Sequence, residues 1–205
     1  MGLYSRYVFP RLMNLAMSGG TFTKQRVQVL ADVGGEVLEI GFGTGLNLPH
    51  YPAGLERLTT IDPNPGMSAL ARKRIARSPI QVKFETLDSE RLPMADETFD
   101  HVVSTWTLCS IPHVERALTE IRRVLKPEGR FHFVEHGLSP DPAVQKWQHR
   151  LNPIQKAIGD GCHLDRDFRA LIGGQGFRFV DLDTFYMKKA PRFAGYLYRG
   201  EAAKA

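Results

Sequence analysis

Apolar and polar positions change period several times along the chain, and the changes predict strands alternating with helices. Val37-Leu38-Glu39-Ile40 reads as a buried strand, and Thr59-Thr60-Ile61 as a second one ending at the carboxylate of Asp62. A glycine-rich turn and a helix are expected between them. Residues 66–76 place Met67, Leu70, Ala71 and Ile75 on one helical stripe, and residues 113–126 do the same with Val114, Ala117, Leu118, Ile121, Val124 and Leu125. Gln81 to Thr86 and Asp100 to Thr105 read as strands, as does Arg130 to Glu135 after the turn Pro127-Glu128-Gly129. This alternation implies parallel pairing. A further helix carries Val144, Trp147, Leu151 and Ile154, with Asn152-Pro153 expected to bend or interrupt it. The tail differs. Phe177 to Tyr186 and Arg192 to Arg199 are strand-like runs joined by a proline-containing connection too short for a parallel crossover, which predicts an antiparallel pair.

The front of the chain adds something that this core does not require. Tyr4, Tyr7, Val8, Phe9, Leu12, Met13, Leu15, Ala16 and Met17 make an apolar start, broken by Ser18-Gly19-Gly20 before a second helix from about Thr23 to Ala31. One reading is a helix covering a sheet edge. The other is a lid over a substrate pocket, which would also be able to touch a membrane as an interfacial helix. Pro10 and the scarcity of lysine there count against membrane contact. Residues 1–34 are therefore expected to form a helical cover or lid on a core of residues 35–205, one domain overall.

Composition narrows the class. The net charge of +5 is compatible with nucleic acid as a partner, but the basic residues are dispersed, with Arg72-Lys73-Arg74 and Arg122-Arg123 on polar helix faces. A small molecule is the expected partner, and nucleic acid is not. The two cysteines, Cys109 and Cys162, lie far apart, no secretory segment is visible and no zinc spacing appears. A cytoplasmic protein without a metal is expected. No apolar run approaches the ~20 residues of a membrane span.

The chemistry begins at the glycines. Gly41, Gly43 and Gly45 allow a sharp turn and a close approach of backbone to ligand. A dinucleotide fingerprint would need a third glycine where Leu46 stands, so that pattern fails. Glu39, two places before the first glycine, would oppose a pyrophosphate and favour a cation. S-adenosylmethionine carries a sulfonium and an ammonium and no phosphate, so the charge sense favours it.

Glu39-Ile40-Gly41-Phe42-Gly43-Thr44-Gly45 resembles motif I of the class I S-adenosylmethionine-dependent methyltransferases, and Asp62 matches the acidic residue those enzymes use on the ribose. Leu87-Asp88-Ser89-Glu90-Arg91-Leu92-Pro93 is similar to their adenine loop. Phe99-Asp100-His101-Val102-Val103 is similar to the fourth strand, and Val124-Leu125-Lys126-Pro127-Glu128-Gly129-Arg130 to the turn into the fifth. The resemblance implies an α/β, Rossmann-like fold with helices on both faces of a mostly parallel seven-stranded sheet whose last strand is reversed. It also implies S-adenosylmethionine as cofactor, held by Glu39, Gly41, Gly43, Gly45, Asp62, Pro63, Met67, Asp88, Ser89, Glu90 and Thr105.

Ligands in such sheets bind beyond the carboxyl ends of the strands. Three loops there form the candidate acceptor site: residues 104–112, Glu135-His136-Gly137, and Gly159-Asp160-Gly161-Cys162-His163. Their order resembles the small-thiol S-methyltransferases of animal microsomes, the methyltransferase-like seven family. Residues 43–51 also resemble bacterial phospholipid N-methyltransferases and quinone C-methyltransferases. These resemblances imply a small acceptor, a thiol first, with a lipid head group or quinone as alternatives. His136 is the first candidate base, His163 the second, and Asp160 the residue to orient either. Cys109 and Cys162 read as small buried hydrophobes. A non-catalytic nucleoside- or RNA-binding module remains the alternative of another class, although the glycine turn and acidic ribose residue such a module often loses are both present.

Overall fold

In the computed structural model, which describes residues 2–205, the strands are β1 (Val37–Ile40), β2 (Arg57–Ile61), β3 (Gln81–Glu85), β4 (Phe99–Thr105), β5 (Leu125–His136), β6 (Phe177–Tyr186) and β7 (Tyr196–Lys204). They form one sheet in the order β3-β2-β1-β4-β5-β7-β6. β1 to β5 pair in parallel, with Leu38 opposite both Thr59 and Val102, whereas β7 runs antiparallel to β5 and to β6. The reversed last strand expected from the sequence is β7. Every residue of β1 is buried, as a central parallel strand covered on both faces requires.

The helices are α1 (Phe9–Ala16), α2 (Gly20–Val29), α3 (Pro65–Ile75), α4 (Val114–Val124), α5 (Pro142–Ile158) and α6 (Phe168–Gly174). Neighbouring strand residues feed two separate cores, because successive side chains point to opposite faces. Leu38, Val102 and Phe133 pack with α4 and α6 through Leu118, Ile121 and Ile172. Val37, Val103 and Val134 pack on the other face with Leu30 beyond α2 and Ala71 of α3. The α4 stripe read from the sequence is fully buried.

Four local expectations are corrected. No α-helix follows the glycine turn, which leads only to a single 3-10 turn at Leu48–His50. Pro49 and Pro52 leave too little uninterrupted chain before β2 for more. The final strand begins at Tyr196, because Pro191 to Ala194 close a turn through a bond from Ala194 N to the Pro191 carbonyl. β5 begins at Leu125, ahead of its expected start. Residues 126–129 bulge out where the register steps from Phe99–Leu125 to His101–Arg130. Finally, α5 is not interrupted at Asn152-Pro153 but runs on to Ile158, and Trp147 and Ile154 on it are exposed.

The amino-terminal segment lies across the carboxyl ends of the strands. A wide helical turn, Tyr4–Val8, leads into α1, and α2 starts at Gly20, earlier than expected. Tyr4 Oη donates to the Ile158 carbonyl, Ser5 Oγ donates to Asp160, and Asn64 Nδ2 donates to the Ser5 carbonyl. Asn14 Oδ1 accepts from Thr44 Oγ1 and from Arg74. The segment is thus tied to the glycine turn, α3 and the end of α5. Its outer face leaves Leu3 and Leu15 exposed. Among the described residues, no helix is long and apolar enough to cross a membrane.

A Cβ on Gly66 would lie 2.0 Å from the backbone oxygen of Arg6. Gly66→Ala is expected to displace this segment and to lower stability by about 1–3 kcal/mol. Limited proteolysis should show faster cleavage within residues 2–19 while the sheet stays protected.

Candidate active site

The turn after β1 is built from left-handed glycines, with φ of +73° at Gly41, +58° at Gly43 and +78° at Gly45. Gly41 N and Phe42 N both donate to the Ile61 carbonyl, which locks the turn to the end of β2. There Asp62 accepts from Gly43 N and from Asn64 N, each at 2.8 Å. A Cβ on Gly41 would strike Thr107 at 2.1 Å, whereas one on Gly43 would meet nothing nearer than 3.9 Å. Gly43 therefore presents bare backbone to open space. That space is a cavity of about 420 Å³ whose lining includes the carboxylates Glu39, Asp62, Asp88 and Asp160 together with Phe9, Met13 and Met17 of the amino-terminal segment.

Glu39 is 1% exposed, with Tyr51 Oη donating to Oε2 at 2.7 Å and Asn47 Nδ2 to Oε1 at 2.8 Å. Burial pushes its carboxyl up to about 8, against the pull of those two hydrogen bonds and of Arg26. Burial likewise raises Asp62 to about 6, opposed by the Asn64 and Gly43 amides. Asn47 Oδ1 is buried without a hydrogen-bond partner. Among the described residues lining the cavity, Arg26 is the one cation against the four carboxylates, and its guanidinium sits 5.0 Å from the Trp106 ring centre. Spare acceptors, an orphaned buried carbonyl and a bare glycine backbone fit a nucleoside that carries positive charge and no phosphate.

Most sequence-predicted cofactor residues meet at this cavity: Glu39, Gly41, Gly43, Asp62, Pro63, Met67, Asp88, Ser89 and Thr105 all line it. Two do not. Gly45 faces Phe42 and Leu48 and serves the turn itself. Glu90 accepts from His113 N at 3.0 Å and so holds the start of α4, which is where its carboxylate is used. Asn47, Tyr51 and Arg26 were not foreseen. Asn47 and Tyr51 are polar positions just beyond the glycines, a usable signal, whereas nothing local marked Arg26.

The acceptor-side candidates divide. Asp160, held at φ +51° and accepting from Ser5 Oγ at 2.7 Å, lines the cavity beside Ser110, Ile111 and Pro112. His136 and His163 do not line it. His163 Nδ1 lies 3.6 Å from Asp165. His136 Nε2 lies 3.3 Å from Cys162 Sγ, which lies 3.4 Å from Cys109 Sγ. Burial pulls the His136 pKa down, but Cys162 and Glu135 hold it above the usual histidine range. Glu135 is fully buried and accepts from Ser104 Oγ and from the amides of Thr107, Leu108 and Cys109, so it shapes the loop after β4.

A family model described as "Methyltransferase domain" matches residues 38–133. The chain is 40% identical over 151 residues to the thiol S-methyltransferase TMT1B of Rattus norvegicus, covering 72% of this chain and 62% of that protein. It therefore spans about three fifths of that relative. It is 32% identical over 181 residues to the malonyl-[acyl-carrier protein] O-methyltransferase of Geobacter sulfurreducens, covering 82% of this chain and 67% of that one. In fold it is similar to an S-adenosylmethionine-dependent methyltransferase from Thermotoga maritima, with a TM-score of 0.67, 20% identity, and 98% and 100% of the two chains covered. With the glycine turn, the Asp62 carboxylate at the end of β2 and the reversed seventh strand in place, the chain belongs to the class I S-adenosylmethionine-dependent methyltransferases.

Proposed function

We propose that this chain transfers a methyl group to a small acceptor, and that the acceptor is a thiol. The observation that carries the thiol is the 40% identity to a thiol S-methyltransferase, which spans most of this chain. When bound, S-adenosylmethionine supplies an electrophilic methyl on a sulfonium. Glu39 and the unpaired Asn47 Oδ1 are placed to hold its ammonium, Asp62 its ribose hydroxyls, and Asp88 and Ser89 its base. These groups are fixed by hydrogen bonds to Tyr51, Gly43, Asn64 and Glu90, so little reorganisation is needed on binding.

The acceptor end is bordered by Ser110, Ile111, Pro112 and Asp160 and roofed by α1. Residues 1–34 thereby act as a cover that excludes water and strengthens the field of the carboxylates. Alignment of the acceptor with the reacting methyl supplies most of the catalysis. A thiol with a pKa of about 8.5 brings its own thiolate fraction at neutral pH, so the reading needs no histidine base. Asp160, a carboxylate that lines this cavity and accepts from Ser5 Oγ, is the residue assigned to position the acceptor.

Glu39 gives a pH test. Without cofactor its carboxyl titrates near about 8 and is mostly protonated at pH 7. A cation beside it favours the charged form, so binding is expected to release up to one proton at pH 7, and affinity should rise with pH until about 8. Calorimetry in buffers of different ionisation heat measures this. Release that persists unchanged in Glu39→Gln would remove Glu39 from the contact.

Asp62→Ala is expected to weaken cofactor binding at least about tenfold, or about 1.4 kcal/mol. Formation of S-adenosylhomocysteine with small thiols, phenols, amines, quinones and liposomes tests the acceptor. Turnover confined to thiols is expected. Turnover only with liposomes or quinones would replace the thiol reading.

A further inference from the structure

Outside the cofactor cavity, three metal-ligating side chains converge. Sγ of Cys109, Sγ of Cys162 and a ring nitrogen of His136 all lie within 4.8 Å of one another. The closest separations are 3.4 Å between the sulfurs and 3.3 Å between Cys162 Sγ and His136 Nε2. Metal–sulfur bonds of about 2.3 Å and metal–nitrogen bonds of about 2.0–2.1 Å at tetrahedral angles put two sulfurs about 3.8 Å apart and sulfur and nitrogen about 3.6 Å apart. Those two separations need to open by a few tenths of an ångström, and the third, between Cys109 Sγ and the His136 nitrogen and within 4.8 Å, needs to settle near the same sulfur–nitrogen distance, for the three to hold one ion.

The backbone around them is braced from three directions. Glu135 accepts from Cys109 N at 3.3 Å, and His163 N donates to the Cys109 carbonyl at 2.9 Å, which ties the two cysteine loops together. Left-handed Asp160 and Gly161, at φ of +51° and +91°, turn the chain so that Cys162 is buried against Cys109. His136 stands at the end of β5, next to Glu135, whose carboxylate accepts from the Cys109 amide, so the strand end that carries the imidazole also holds the Cys109 loop.

We propose that Cys109, Cys162 and His136 bind one thiophilic divalent ion of the zinc class. Two thiolates and an imidazole suit such an ion, and three protein donors leave one tetrahedral position for an outside ligand, the arrangement of open rather than purely structural sites. Ser110 Oγ lies 3.7 Å from Cys109 Sγ, and Ser110 also lines the cofactor cavity, so an ion here borders the acceptor end. The sequence expectation of no metal rested on spacing. The cysteines are 53 residues apart and His136 is 26 residues from Cys162, so only the fold brings the donors together.

The test is anaerobic titration of reduced, chelator-stripped full-length protein with Co²⁺, followed by Zn²⁺. One equivalent should give sulfur-to-cobalt charge transfer in the near ultraviolet and the intense visible bands of a tetrahedral site, both erased by Zn²⁺. The chain holds 2 cysteines, so a two-thiolate spectrum identifies this cluster even if a variant fails to fold. Cys162→Ser and Cys109→Ser should each weaken Zn²⁺ binding at least tenfold, and His136→Gln should shift the visible bands. A weak octahedral spectrum, Zn²⁺ binding undiminished in the double serine variant, or a reduced protein that takes up no ion and instead forms a Cys109–Cys162 disulfide in air would each overturn the proposal.

Discussion

The buried carboxylate of Glu135 is the contact on which the functional end of the molecule depends. It stands at the end of β5 and collects Ser104 Oγ from β4 and the amides of Thr107, Leu108 and Cys109 from the loop after it. Charge-assisted hydrogen bonds of this kind are roughly twice as strong as neutral ones, and removing the carboxylate would leave several buried amides unpaired. The loop it shapes carries Thr107 against Gly41, Trp106 at φ +51°, and Ser110 and Ile111 on the cavity wall. The same contact sets Cys109 facing Cys162.

The cavity itself carries unbalanced negative potential. Glu39 and Asp62 are buried deeply enough that desolvation outweighs their hydrogen bonds and raises both pKa values. In the absence of a cation this costs stability as the pH rises through those values, because the unfolded chain would already be ionised. A cationic ligand relieves that cost. Arg26, lowered to about 10 by burial, is tied to the Met17 carbonyl and lies near the Trp106 ring. It links the amino-terminal segment to the cavity wall without neutralising the site.

Much of this was legible in the residues. Glu39, the glycine turn and Asp62 lie on consecutive strand ends, so a short stretch of sequence already encodes their proximity. The stripe of α4 was equally clear, since its apolar positions repeat at helical period and all face the sheet. Errors arose where a local rule met a constraint from elsewhere. The helix expected after the glycines was shortened by two prolines, and Glu90, next to the adenine-loop residues in sequence, was drawn to the start of α4.

Periodicity and the glycine motif determined the alternating architecture, the reversed strand pair and the glycine-turn end of the cavity, because each is written in residues close together along the chain. The tertiary structure alone decided that the amino-terminal segment ties to Asn64, Arg74 and Asp160, that His136 turns away from the cavity, and that it meets two cysteines instead. Those contacts join residues from 26 to more than 150 positions apart. Which of them form depends on the strand order that places the β4, β5 and α5 loops side by side at the carboxyl end of the sheet, and no local pattern carries that order.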